Sequence, residues 1–213
     1  MPFAHRRLFL HTLAIATLAF AGACAANSTL TNLWKDPEYP REPMRNVFVV
    51  VVKRDAAVRR IWEDGFTREF EKRGVTATPS YRLFPDAPPD TEQVIRAVRD
   101  QGADGVVEVH RLPTQTTDRY VPGYATSVPV YRYNPWTGVY YTHYREIYEP
   151  GYVETAQVVR YQVNVWSVET NGGLVWTGTT ETVDPSSTQS VNRQVSRLIV
   201  PELARKGVIQ KVK

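Results

Sequence analysis

The side chains of this sequence that could do chemistry are few and widely spaced. Glu108 and His110 alternate along a predicted strand and therefore share one face, as two ligands of a metal ion could. A metal site needs three or four converging ligands, and no spacing in the sequence supplies the others. His143 lies among tyrosines and is interpreted as a polar member of that segment. The sequence therefore predicts neither a metal site nor a cofactor.

Catalytic carboxylates and nucleophiles are equally hard to assemble. Glu63 and Asp64 are adjacent on a predicted helix, so their side chains point about 100° apart and cannot act as a pair on one face. Arg59 stands four residues before Glu63, a spacing that predicts a solvated ion pair. The G-x-S-x-G, H-E-x-x-H, phosphate-loop and dinucleotide patterns are absent from the sequence. We therefore expect no enzymatic activity.

The N-terminus predicts export from the cytoplasm. Arg6 and Arg7 precede the apolar run "LFLHTLAIATLAFAGA", so residues 1–23 are interpreted as a signal peptide. Removing this segment lowers the 26 basic residues to 24, against 22 acidic ones. The mature charge is then nearly balanced, and nothing in it indicates a nucleic-acid partner. No second apolar run approaches the ~20 residues that a spanning helix needs.

Cys24 is the only cysteine, so the chain can form no internal disulfide. The stretch "AFAGACAANS" resembles a bacterial lipobox, in which small residues precede a cysteine that becomes the lipidated N-terminus. Ala21 departs from that pattern, and ordinary cleavage after Ala23 or Ala25 is the alternative. Lipidation of Cys24 would anchor the protein to a membrane. The alanines that follow favour, by analogy, the periplasmic face of the outer membrane.

The remaining pattern predicts an α+β fold built as a two-layer sandwich. The β-branched run at 46–53, a helix capped by Asp55, a short edge strand, a helix capped by Asp90 and the strand "GVVEVHRL" give the order β-α-β-α-β. The alternating segment "TAQVVRYQVNVWSVET", the turn "NGG" and "LVWTGTTETV" predict a long antiparallel hairpin, followed by a C-terminal helix. We expect one mixed sheet with the helices mostly on one face. The predicted buried residues are Val50, Trp62, Phe66, Val163 and Trp176.

The predicted domain organisation has two parts after the signal peptide, and the second part carries an insertion. Residues 24–45 carry Pro37, Pro40 and Pro43 and are interpreted as a lipidated N-terminus with an extended tether. Residues 46–213 form a single domain of sufficient length for one core. Within that domain, residues 113–151 form an insertion rich in tyrosine.

The insertion predicts an aromatic β-ribbon. "VPVYRY" and "VYYTHYREIY" flank the turn "NPWTG", with a Pro-Gly pair on either side of the segment. The tyrosines either lie back on the sheet or form an exposed contact surface, since Tyr and Trp offer large rigid area with a polar tip. Such a surface could meet a protein, a glycan or the membrane interface. The candidate contact residues are Tyr131, Tyr133, Trp136, Tyr140, Tyr141, Tyr144 and Tyr148.

Several stretches together resemble a group of uncharacterised bacterial envelope lipoproteins. They are "TNLWKDPEY", "RRIWEDGF", "QGADGVVEVHRL", "YEPGYVET" and "NGGLVWTGTTET", in that order over nearly the whole mature chain. The resemblance implies a lipoprotein of the outer membrane or periplasm, with a sandwich fold similar to the N-terminal domain of TolB. It implies no catalytic residues, because none is established for the group.

These observations favour a non-catalytic, lipid-anchored interaction or structural module of the cell envelope. Its partners would be the membrane, through the N-terminal lipid, and an envelope protein or glycan, through the tyrosine-rich arm. The alternative is a periplasmic protein that binds a small molecule, glycan or lipid in a pocket between helices and sheet. That alternative requires an apolar cavity that opens beneath the arm. The oligomeric state does not follow from the sequence.

Overall fold

The computed structural model describes residues 28–39 and 42–211. Within them, seven strands form one mixed sheet, two further strands form a separate ribbon, and three α-helices pack on the sheet. The predicted α+β architecture is confirmed. In chain order the elements are β1 (Ser28–Lys35), β2 (Asn46–Val52), α1 (Ala56–Glu71), β3 (Thr76–Pro79), α2 (Thr91–Asp100), β4 (Gly105–Arg111), β5 (Gln115–Val121), β6 (Tyr124–Asn134), β7 (Val139–Glu149), β8 (Tyr152–Ser167), β9 (Gly173–Val183) and α3 (Thr188–Arg205).

The large sheet has the order β1-β9-β8-β4-β2-β3, and β5 pairs with the first half of β8. β2 is parallel to both β3 and β4, as expected for strands joined by the crossover helices α1 and α2. The other pairings in this sheet are antiparallel. The β-α-β-α-β order, the long β8–β9 hairpin and the C-terminal helix are all present.

β2 is buried on both faces, as its run of β-branched residues predicts. Val47, Val49 and Val51 belong to the main core under α1 and α3. Phe48 and Val50 point to the opposite face, where they pack with Ala97, Val98 and Ala103 on and just after α2. Two helices thus cover one face of the sheet, and α2 covers part of the other.

The main core follows from the helical spacing of α1. Asp55 caps the helix by accepting a hydrogen bond from the Val58 amide at 2.9 Å. Trp62, Phe66 and Phe70 lie one turn apart and are fully buried. The Trp62 ring lies 4.1 Å from the Tyr161 ring of β8, which ties the helix to the sheet. All five residues predicted to be buried are buried.

The predicted tether of residues 24–45 is wrong over most of its length. β1 forms an edge strand of the sheet through antiparallel pairing with β9, from Ser28–Thr182 to Lys35–Trp176. Tyr39 and Met44, further along the same segment, are buried in the main core. An edge strand is held by backbone hydrogen bonds along one side, so it needs little apolar sequence to form. The domain therefore includes β1. Residues 1–27, including Cys24, lie outside the described part of the chain.

Within residues 28–39 and 42–211, none of the helices has both the length and the apolar character needed to cross a membrane.

The packing of α1 predicts a large cost for truncating its central side chain. Phe66→Ala should lower the free energy of unfolding by roughly 3–5 kcal/mol, because a fully buried ring leaves a cavity that the core cannot close. Urea denaturation measures the change. The control is Ile95→Ala on the exposed side of α2, which should change the stability by less than about 0.5 kcal/mol. Similar losses for both variants would show that α1 is packed differently.

Candidate contact surface on the aromatic ribbon

The ribbon consists of β6 and β7, two antiparallel strands of 11 residues each. Their register runs without a shift from Tyr124–Glu149 to Asn134–Val139. Residues 135–138 form the turn, where Asn134 Oδ1 accepts a hydrogen bond from the Trp136 amide at 3.0 Å. Gly138 closes the turn with a φ of 72°, a conformation that favours glycine. At ~3.3 Å per residue, the ribbon is about 36 Å long.

A second ladder connects this ribbon to the sheet. β5 pairs with the first part of β8, from Gln115–Val158 to Val121–Tyr152. Pro122-Gly123 faces Pro150-Gly151 between the two ladders, and the prolines supply no amide hydrogen for pairing. A Cβ on Gly123 would lie 2.6 Å from the Gly151 nitrogen, so the strands approach closely only because this residue has no side chain. The ribbon root therefore extends past the predicted insertion, to residue 158.

The register assigns the tyrosines to faces. Directly opposed residues of an antiparallel pair share a face, and successive pairs alternate between faces. The pairs Tyr133–Tyr140, Tyr131–Thr142, Pro129–Tyr144 and Ala125–Tyr148 thus lie on one face. We call the five residues Tyr131, Tyr133, Tyr140, Tyr144 and Tyr148 the tyrosine face. Tyr141 lies on the opposite face, and Trp136 lies in the turn.

The tyrosine face is exposed to solvent. Tyr133 and Tyr140 contact each other, with ring centroids 5.1 Å apart. All five tyrosines are at least half exposed, and Trp136 is 94% exposed. β6 and β7 pack on each other and make at most isolated contacts with other elements of the described chain. The interpretation in which the tyrosines cover the sheet is therefore wrong, and the exposed arrangement is the observed one.

Glu108 and His110 do share a face of β4, but a hydrogen-bond network engages the carboxylate. Glu108 Oε2 accepts from Asn164 Nδ2 at 3.1 Å, and Asn164 Oδ1 accepts from the Thr177 hydroxyl at 2.7 Å. This network crosses β4, β8 and β9 on the same face of the sheet as α2, in the part of that face that α2 does not cover. Among the residues that the structure describes, no three His, Cys, Asp or Glu side chains converge as metal ligands would.

The solvated ion pair predicted for Arg59 and Glu63 is wrong, because both side chains are buried and they do not pair. Glu63 Oε1 accepts from the Ser80 hydroxyl at 2.6 Å and from the Val51 amide at 3.2 Å, and Oε2 accepts from the Tyr81 amide at 2.8 Å. Arg59 donates to the carbonyls of Phe84 and Pro85. The segment after β3 folds over α1 and removes both groups from water. Spacing along a helix reveals nothing about such a covering segment.

Burial raises the pKa of Glu63 above its usual value. The Ser80 hydroxyl, the two backbone amides and the charge of Arg59 all act in the opposite direction and are outweighed. A perturbed acid in a cleft would be a catalytic candidate. Glu63, however, is fully buried and its carboxylate is occupied by three donors from β2 and the segment after β3. Its role is to hold that segment against α1.

Two large cavities among the described residues, of about 650 and 480 Å³, lie at the end of the sheet opposite to the ribbon and are not pockets beneath it. An open groove of about 480 Å³ lies between α2 and the β8–β9 turn, lined by Val98, Val106 and Trp166 among others. It is at the end of the sheet opposite to the ribbon. The cavity beside the ribbon root, near Arg111 and Tyr161, has about 90 Å³, which is room for only about three water molecules.

No family model matches the chain, and no curated protein matches it. Solved structures to which it is similar include two PelC dodecamers from Paraburkholderia phytofirmans, at 14% and 12% identity and TM-scores of 0.42 and 0.40. These matches cover 82% and 86% of this chain and 96% and 99% of the PelC chain. A PDZ domain protein from Parabacteroides distasonis is 11% identical with a TM-score of 0.35, over 85% of this chain and 37% of its own. Likenesses at these values carry no argument about function.

The raised pKa of Glu63 predicts a pH-dependent contribution to stability. The folded protein holds this proton more tightly than the unfolded chain, so the contribution is present at acidic pH and is lost as the pH rises through the folded pKa. Glu63→Gln removes this contribution. The free energy of unfolding of the wild type should therefore rise relative to that of the variant as the pH is lowered from neutral to about pH 4. Urea denaturation of both proteins at the two pH values measures this difference, and an advantage that grows with pH would contradict the assignment.

Proposed function

We propose that this protein is a lipid-anchored, non-catalytic interaction module on the periplasmic face of the bacterial outer membrane. It contacts another component of the envelope through the tyrosine face of its ribbon. The observation that carries the proposal is the alignment of five exposed tyrosines on one side of a ribbon that makes at most isolated contacts with the other described elements.

The size of the surface supports a contact function. Aromatic side chains each bury about 150–250 Å² when covered. Five tyrosines that are at least half exposed could thus supply a large part of the ~800 Å² that each partner buries in a stable interface. Tyrosine also loses little conformational entropy on binding and keeps a polar tip. A ribbon that served only as a connection would not need this surface.

The anchor is supported by the sequence alone. The signal peptide, the lone Cys24 in a lipobox-like stretch and the resemblance to envelope lipoproteins all favour lipidation. Cys24 precedes β1 by four residues, so the lipid would be attached directly before the first strand of the sheet.

A second candidate function uses the groove between α2 and the β8–β9 turn. Its volume falls in the range of small-molecule pockets, about 300–1,000 Å³, and residues such as Val98, Val106 and Trp166 are apolar. A protein that binds a small apolar molecule there would not depend on the ribbon.

The anchor predicts a defined modification of the mature protein. Mass spectrometry of the N-terminus should show a diacylglyceryl adduct on Cys24. Cys24→Ala should move the protein out of the membrane fraction and leave its thermal melting unchanged, because residue 24 precedes every described element. An unmodified, soluble chain that begins at Cys24 or Ala26 would contradict the anchor.

Removal of the ribbon should abolish the contact with the partner and leave the stability of the remaining domain largely unchanged. Tyr124 and Glu149 are paired, so a short Gly-Ser turn can join them in place of residues 125–148. The shortened protein should keep most of its melting temperature, since the removed residues pack mainly on each other. A photo-crosslinking residue at position 144 should capture an envelope component in cells, whereas one at position 96 on α2 should not.

Two results would contradict this proposal. Unfolding or aggregation of the shortened protein would show that the ribbon supports the fold. If the shortened protein complements a deletion strain as well as the full-length protein does, the ribbon is not needed for function, and the groove beside α2 becomes the favoured site.

A further inference from the structure

The chain enters the sheet at the end from which the ribbon leaves it. Ser28 at the start of β1 pairs with Thr182 of β9, which in turn pairs with Val159 of β8. Val158, the residue of β8 directly before Val159, pairs with Gln115 at the start of β5. Two strand spacings of ~4.8 Å separate β1 from β8, so Ser28 lies about 10 Å from the ribbon root.

The anchor is therefore close to the ribbon root. Cys24 is four residues before Ser28, and a fully extended chain spans at most ~3.6 Å per residue. The lipidated residue can thus be no more than about 14 Å from the start of β1. The ladders β5–β8 and β6–β7 comprise 7 and 11 residues per strand, which is about 60 Å of ribbon leaving the same end of the sheet. A ribbon this long reaches the membrane surface if the anchor lies in the bilayer.

We propose that the envelope component contacted by the tyrosine face is the lipid surface of the membrane that holds the anchor. This inference rests on the proposed function and names the partner of the same site. The interruption at Pro122-Gly123 and Pro150-Gly151 lacks ladder hydrogen bonds and lets the outer part of the ribbon follow the surface.

The chemistry of the two ribbon faces fits this orientation. Tyrosine and tryptophan concentrate at the membrane interface, with the ring towards the acyl chains and the polar group at the headgroups. Glu146 is the only charged residue among the ten on the side of the tyrosine face. The other side carries the charged Arg132, Arg145 and Glu149 between the aliphatic Val128, Val130, Val139 and Ile147, and in this orientation its charges would face water.

The depth of contact is limited by the backbone. Among the described strands, β6 and β7 pair only with each other, so each has one edge of unpaired amide and carbonyl groups. Such edges cannot lose water inside the hydrocarbon core, where each unpaired group costs several kcal/mol. The ribbon therefore lies in the hydrated headgroup layer. A protein or a glycan could also cover tyrosines, but neither would require the anchor and the ribbon to share one end of the sheet.

The test uses the chain from residue 24 with Cys24→Ala, which carries no lipid. Every helix and strand that the structure describes, and both buried clusters, lie within residues 28–211, so this chain keeps the described fold. Co-sedimentation with vesicles of phosphatidylethanolamine and phosphatidylglycerol should show binding. Tyr140→Ser with Tyr144→Ser should lower the partition coefficient at least ~10-fold, since ~60 Å² of apolar surface is already worth that factor.

The matched control is the double variant Tyr124→Ser with Tyr141→Ser, on the opposite side of the ribbon. Its partition coefficient should stay within about twofold of the parent, because these tyrosines would face water. Binding should persist on vesicles of phosphatidylcholine alone and at high salt, because an aromatic contact depends little on screened charge. Thermal melting confirms that both variants remain folded.

The results that would overturn the inference are separate from those that would overturn the proposed function. Equal losses in the two double variants, or binding that vanishes with salt, would show that the tyrosine face is not the lipid contact. If no vesicle is bound while residue 144 still crosslinks to a protein or glycan in cells, the lipid inference is wrong and the contact function stands. Absence of both binding and crosslinks would remove both.

Discussion

The register of β8 is the constraint on which the rest of the structure depends. This 16-residue strand pairs with β4 and β9 along its second half and with β5 along its first half. A slip of one residue would turn Val163 and Val165 out of the core, so burial holds the register firmly. The hydrogen bonds among Glu108, Asn164 and Thr177 require the same alignment on the other face. The direction of the ribbon is therefore set inside the sheet.

This arrangement lets the ribbon exist without burying its side chains. A two-stranded ribbon alone is marginal in water. Here the ladder continues outward from the sheet through β5 and β8, where Arg119 and Glu154 pair across the strands at 2.6 Å. The Tyr133–Tyr140 contact adds a cross-strand aromatic pair near the turn. Because backbone pairing and such contacts carry the ribbon, its tyrosine face is available to a partner.

In the helical layer, by contrast, polar side chains are buried, and they hold a loop in position. Glu63 accepts a hydrogen bond from a backbone amide of the segment after β3, and Arg59 donates to a backbone carbonyl of the same segment. Hydrophobic side chains alone would leave these amides and carbonyls unpaired. The small size of Gly65 lets α3 approach α1 so that Asn192 donates to the Ile61 carbonyl at 2.5 Å. Both devices fix helices and loops on the side of the sheet that holds the main core.

The sequence by itself determined the elements whose signals are local. The β-branched run of β2, the caps at Asp55 and Asp90 and the helical spacing of Trp62 and Phe66 depend on neighbours within a few residues. The turn "NPWTG" lies between tyrosine-rich strands and is an equally local signal, so the existence of the ribbon could be predicted from the sequence. Local chemistry decides each of these features.

Only the tertiary structure decided the features that depend on distant partners. β1 has little apolar signal because an edge strand is held by backbone bonds to β9, which lies about 150 residues later in the chain. The burial of Glu63 depends on a segment that folds over it from beyond β3. The separation of Tyr141 from the tyrosine face depends on the cross-strand register, because spacing along one strand does not say which residues of the other strand lie opposite. The start of β1 at the end of the sheet from which the ribbon leaves is likewise a property of strand order, since it arises where β1, β9 and β8 are brought side by side.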